Sequence, residues 1–142
     1  MDTNNVLRPD KNLINLLYYG VLWPWETIFT KCVDTRVINF KSLKTKVDFE
    51  LIPKNNSTDF CQWLSSINKE NFYGMAFVNS KTNTCNSIIF HIRNAFAHAH
   101  IVRPSTYSKY IILESTGRNG VVMYGRIKKE QLTTLIKFLA VD

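Results

Sequence analysis

With 142 residues, 45% of them apolar, the chain has the size of one ordinary domain and enough apolar side chains for a single buried core. Three dispersed cysteines, Cys32, Cys61 and Cys85, with no Cys-x-x-Cys pair and no His at finger spacing, exclude a disulfide framework and a zinc finger. A formal net charge of +7 favours an anionic partner, since Lys and Arg gain by displacing counterions from a phosphate backbone, although a solvated basic face gives the same count.

From the N-terminus, Asp2 precedes a polar run, which does not read as a secretory signal, and reduced thiols in a cytoplasmic protein are expected. A first helix is predicted over about Asp10 to Cys32, with Leu13, Leu16, Leu17 and Leu22 at helical spacing and Pro24 kinking or dividing it. The apolar stretch from Leu13 to Trp25, broken by Asn15, Gly20 and Pro24, is too short to span a bilayer, so no membrane partner is expected. A weaker helical segment covers Asp34 to Val47 and includes the basic cluster Lys41, Lys44 and Lys46; Pro53 and Asn55-Asn56 then mark a loop. Ser57 or Thr58 caps a third helix with Phe60, Trp63, Leu64 and Ile67, and the region from Asn68 to Asn79 is ambiguous. Trp23, Trp25 and Trp63 read as packing residues rather than base-stacking platforms.

A fourth helix is predicted from about residue 84 to residue 98. Residues 110–114 and 121–127 then alternate with period two around a Gly117-Arg118-Asn119-Gly120 turn, and Lys128 to Leu139 form a closing helix. The expected fold is mainly α, a single domain over 1–142: a helical bundle over 1–99, then an appended C-terminal β-hairpin and closing helix over 100–142.

Turned at about 100° per residue, the fourth helix places Ile88, Ile92, Ala95, Phe96 and Ala99 on a core stripe, with Ser87, His91, Asn94 and His98 along one flank. Arg93 falls on the other flank, about 140° from His98 in projection. Phe90 and Ala97 lie between the flanks, away from the core, and make a second apolar sector that a second copy of the chain would cover. Arg93 and His98 would then border one groove shared by two subunits.

Those residue types suit RNA cleavage. Attack of a ribose 2′-hydroxyl on its neighbouring phosphorus needs proton transfer near neutral pH, which imidazole provides, and His98 is the candidate. Charge gathers on the phosphoryl oxygens, where the Arg93 guanidinium can stabilise it, while Asn94 orients the imidazole or binds a phosphate oxygen. The nucleophile belongs to the RNA, so neither metal nor cofactor is expected. His100 is the substitute for His98, His91 is either a satisfied polar residue at the core edge or a cleft residue, and Tyr107 and Tyr110, beside Arg103 and Lys109, either touch RNA or, the simpler reading, pack in the hairpin. The bland alternatives are a helix-terminal His98 gaining from the dipole and an Arg93 held in a surface ion pair.

The string Arg93-Asn94-Ala95-Phe96-Ala97-His98 resembles the Arg-polar-x-x-x-His signature of the HEPN superfamily (higher eukaryotes and prokaryotes nucleotide-binding domains), and its wording is similar to that of a plasmid- and phage-associated group. The resemblance implies an α-helical bundle, a homodimer and metal-independent endoribonuclease activity, with Arg93, Asn94 and His98 facing a cleft between subunits. It also brings in toxin–antitoxin or anti-phage roles, with a protein antitoxin as partner. Because some members only bind, a non-catalytic module for nucleotide, RNA or antitoxin is the alternative, and a purely structural dimer a third.

Overall fold

The computed structural model describes residues 14–15, 17–18, 40–79, 84–98, 100–103, 108–118 and 120–139. Most of the predicted first helix, with Trp23, Trp25 and Cys32, lies outside the described residues, as do Ala99 and Tyr107. Within that first segment, Ile14, Asn15 and Leu17 are helical, and Leu17 is fully buried.

In chain order the elements are α1 (Phe40–Lys46), β1 (Glu50–Lys54), α2 (Ser57–Ser66), β2 (Gly74–Val78), α3 (Thr84–Ala97), β3 (Ile101–Val102), β4 (Tyr110–Gly117), β5 (Gly120–Lys128) and α4 (Lys129–Leu139). The expectation of a mainly α bundle is overturned. Among the described residues, five strands form one mixed sheet in the order β1-β2-β5-β4-β3, with β1 and β2 parallel and the other neighbours antiparallel.

The reason lies in the strands themselves. Along β4, Ile111 and Leu113 point to one side and Ile112 to the other; along β5, Met123 and Ile127 oppose Tyr124, and both sides are packed. A hairpin apolar on both faces cannot be an appendage, because each face needs a cover. α2 covers one face with Phe60, Trp63 and Leu64, joined by Ile67 just past its end, and these pack with Ala76 and Tyr124. α3 and α4 cover the other, where Ile88, Ile92, Leu132 and Ile136 meet Met75, Phe77, Leu113 and Met123. The helices therefore flank a sheet instead of packing into a bundle.

Local chemistry sets the element ends. Asn56, rather than Ser57 or Thr58, caps α2, its Oδ1 accepting the Asp59 N–H at 2.8 Å. The Lys128 N–H donates to Gln131 Oε1 at 2.9 Å, so a glutamine in the first turn of α4 reaches back to the residue before the helix. At the start of α3, Asn79 Nδ2 donates to Thr84 Oγ1 at 3.2 Å and Ser87 Oγ donates to Asn79 Oδ1 at 2.9 Å, tying the helix to the residue that follows β2.

Candidate functional site

α3 carries the Arg-Asn-Ala-Phe-Ala-His string, and its first three turns are sunk into the fold. Cys85, Ile88, Ile89, Ile92 and Ala95 recur at helical spacing and are buried against the sheet and α4. Only the last turn emerges. Arg93 and Asn94 are half-buried, whereas Ala97 and His98 are exposed.

Two close relationships organise this end. Arg93 Nη1 donates to Asn94 Oδ1 at 2.7 Å, so the guanidinium bends round to its sequence neighbour although adjacent side chains on a helix diverge. The bond uses one of the two acceptor positions of the amide oxygen and ties the Asn94 side chain to the guanidinium. One turn on, the His98 N–H donates to the Asn94 carbonyl at 3.1 Å, which keeps Asn94 and His98 on the same side of the helix.

The chain then leaves the helix without losing order at His100. Its N–H donates to the Ala95 carbonyl at 2.7 Å, the six-to-one bond that closes many helix C-termini, and its own carbonyl accepts the Glu114 N–H at 3.1 Å. Because both backbone groups are held, the His100 ring is set beside that of His98, with centroids 6.2 Å apart and planes inclined by 38°. Two imidazoles thus stand together at the exposed end of the helix, where the sequence had offered His100 only as a substitute.

The remaining predicted residues are distributed differently. His91 is buried and faces the sheet: Nε2 lies 2.8 Å from the Val78 carbonyl and Nδ1 3.4 Å from Ser115 Oγ. It lies on the same helical flank as Asn94 and His98 but is turned into the sheet, whereas Asn94 is half-buried and His98 exposed. Phe90 is half-buried and packs partly on the core of its own chain, edge-on to the His91 ring at 5.4 Å, while Ala97 is exposed. Arg103 lies beyond β3, at the rim of a depression of about 330 Å³ that Lys109, Lys128 and Lys129 also line. The sequence reading missed Lys128 and Lys129; the signal available was the hairpin register, which lays the end of β5 beside the start of β4.

Fold and site together define an α/β domain whose polar motif ends on an exposed imidazole, His98, beside a half-buried one, His100. A sequence profile of the family described as HEPN pEK499 p136 matches residues 5–141, and the chain belongs to that family. No curated protein and no solved structure matches it. Among the described residues, no helix is long and apolar enough to cross a membrane.

Proposed function

We propose that this protein is a metal-independent endoribonuclease that works as a homodimer, with the exposed end of α3 from each subunit bordering a shared cleft. The observation that carries the reading is that the last turn of α3 and the residues just after it hold two side-chain pairs of complementary chemistry: Arg93 hydrogen-bonded to Asn94, and His98 beside His100. In the proposed reaction one imidazole, His98, takes the proton of a ribose 2′-hydroxyl as its oxygen bonds to the adjacent phosphorus. The bond from phosphorus to the 5′-oxygen breaks, leaving a cyclic phosphate, and an imidazole returns a proton to the departing oxygen. Arg93 balances the charge gathering on the phosphoryl oxygens, and Asn94 holds it in place. The reacting hydroxyl comes from the RNA and imidazole moves the protons, so this chemistry needs no Lewis acid. Dimer contact through Ala97 and the outer edge of Phe90 would cover the exposed apolar part of the last turns. A toxin or anti-phage role would follow from unregulated cleavage, and a protein antitoxin would then act by covering the cleft.

The test is incubation of purified protein with single-stranded RNA in EDTA. Cleavage is expected, and it should disappear in His98→Ala and Arg93→Ala proteins that melt like the parent. RNA bound but never cut would replace this reading with that of a nucleotide- or RNA-binding module.

A further inference from the structure

The antiparallel register gathers positive charge at one end of the sheet. Tyr110 of β4 pairs with Lys128 of β5, which sets Lys109 beside the Lys128-Lys129 step. On the other side Val102 pairs with Ile112, so Arg103, the next residue, comes alongside Ile111. Among the described residues, Arg103, Lys109, Lys128 and Lys129 line one depression of about 330 Å³ with Ser108, Ile111 and the Glu130 carboxylate. Lys109 and Lys128 are exposed and Arg103 is half-buried. The Ser108 hydroxyl is engaged locally, donating to the Tyr110 carbonyl at 3.1 Å and accepting the Tyr110 N–H at 3.2 Å.

Arg103, Lys109 and Lys128 give this concavity a concentration of positive charge that attracts an anion. We propose that this depression is a phosphate subsite for single-stranded RNA, engaging a backbone phosphate outside the scissile one; the proposal rests on the endoribonuclease reading of the α3 end. Its placement relative to that end favours a polynucleotide over a free anion. β3 connects the two: His100 is fixed to β4 through its carbonyl, and Arg103 follows three residues later, at most about 10 Å away along extended chain. A strand lying over the imidazoles therefore reaches the basic depression with its neighbouring nucleotides. Guanidinium and ammonium groups recognise phosphate oxygens without reading bases, so the subsite adds affinity and register rather than sequence preference.

The experiment measures binding, across a salt series, of a labelled single-stranded oligoribonucleotide made uncleavable by 2′-O-methylation, alongside a dinucleotide of the same chemistry and inorganic phosphate. Lys109→Glu with Lys128→Glu is the main variant, since both side chains are exposed and the fold should tolerate the change; Lys109→Ala with Lys128→Ala removes charge without reversing it. The oligonucleotide is expected to bind the charge-reversed protein on the order of tenfold more weakly or worse, with a salt dependence shallower by about 0.7 in log–log slope per lost phosphate contact. The dinucleotide should bind variant and parent alike. An unchanged affinity and slope for the oligonucleotide would overturn the subsite, as would equal weakening of the dinucleotide. So would competition by inorganic phosphate at the concentration of the oligonucleotide, which would make the depression a free-phosphate site. Because the probe cannot be cut, these outcomes are independent of whether His98 and Arg93 support cleavage.

Discussion

His91 and Ser115, 24 residues apart in the chain, meet inside the fold with Nδ1 3.4 Å from Oγ, while the other ring nitrogen lies 2.8 Å from the Val78 carbonyl. A carbonyl only accepts, so Nε2 carries the proton, and in the neutral ring Nδ1 is then the acceptor for the Ser115 hydroxyl. One imidazole thereby links α3 to both β2 and β4. Replacing it with Ala opens a cavity and removes two polar partners at once, and His91→Ala should cost about 2–4 kcal/mol of unfolding free energy. Ser115→Ala should cost about 1 kcal/mol, and the double variant less than the sum, because the pair shares one bond. Urea denaturation of the four proteins checks this; additive losses would show that the pair is not coupled.

His91 also illustrates how far the sequence could be read. A helical projection orders side chains around an axis but does not say how wide the buried arc is, and here the sheet covers the arc from Ile88 out to Ser87 and His91. The α3 and α4 ranges and the β4–β5 pair were legible because their apolar residues keep period 3.6 or period two. β1 and β2 were not. Pro53 reads as a breaker, yet β1 is an edge strand of the sheet, where a residue without an N–H is tolerated. Gly74-Met75-Ala76-Phe77-Val78 shows no alternation because β2 is covered on both faces, which makes a short continuous apolar run ambiguous between helix and strand. Missing those two strands turned a sheet with helices on both sides into a bundle. At the site, spacing within one helix brought out Arg93, Asn94 and His98, but the seating of His100 depends on a bond to Glu114 in a distant strand.

Gly74 opens β2 with φ +152°, in a region that L side chains rarely adopt, and a Cβ there would sit 2.6 Å from the Glu50 carbonyl oxygen. Glu50 is also its partner in the parallel β1–β2 ladder, so the backbone cannot move aside without breaking the pairing. Gly74→Ala should therefore destabilise by about 1–3 kcal/mol, chiefly through backbone strain. A thermal melt tests it: a change smaller than about 0.5 kcal/mol would show that the strand end relaxes freely. Gly120→Ala, at φ +108° with open space around it, should cost less because only conformation opposes it.

Burial raises the Tyr124 hydroxyl above the ordinary tyrosine value of 10.0; the Arg126 charge opposes the rise and the Glu114 carboxylate adds to it. The unfolded chain therefore ionises this group first as pH rises. Between the unfolded and folded values the native state binds the extra proton, so stability that is complete below about pH 10 is lost progressively above it. Tyr124→Phe should flatten that alkaline decline while leaving neutral-pH stability within about 1 kcal/mol. Denaturation midpoints from pH 8 to pH 11 give the comparison, and an identical decline in both proteins would place its origin elsewhere.

The 2.7 Å bond from Arg93 to Asn94 makes a kinetic prediction that separates an organised site from a chance cluster. If the guanidinium stabilises charge on the reacting phosphate, Arg93→Ala should reduce the single-turnover cleavage rate by about 10²–10³, and Arg93→Lys should recover little, since an ammonium does not reproduce the forked geometry. Asn94 acts through Arg93, so Asn94→Ala should slow the reaction by a smaller factor in the wild-type background and hardly at all in the Arg93→Ala background. His98→Ala should remove about 10²–10⁴ of rate while leaving the melting temperature unchanged, because the ring is exposed. His100→Ala should change the pH profile as well as the rate if its ring shares the proton transfers, whereas a residue serving only to end the helix would lower stability and leave the profile's shape alone. Equal, additive losses at Arg93 and Asn94 would mean that the bond between them plays no part in the reaction.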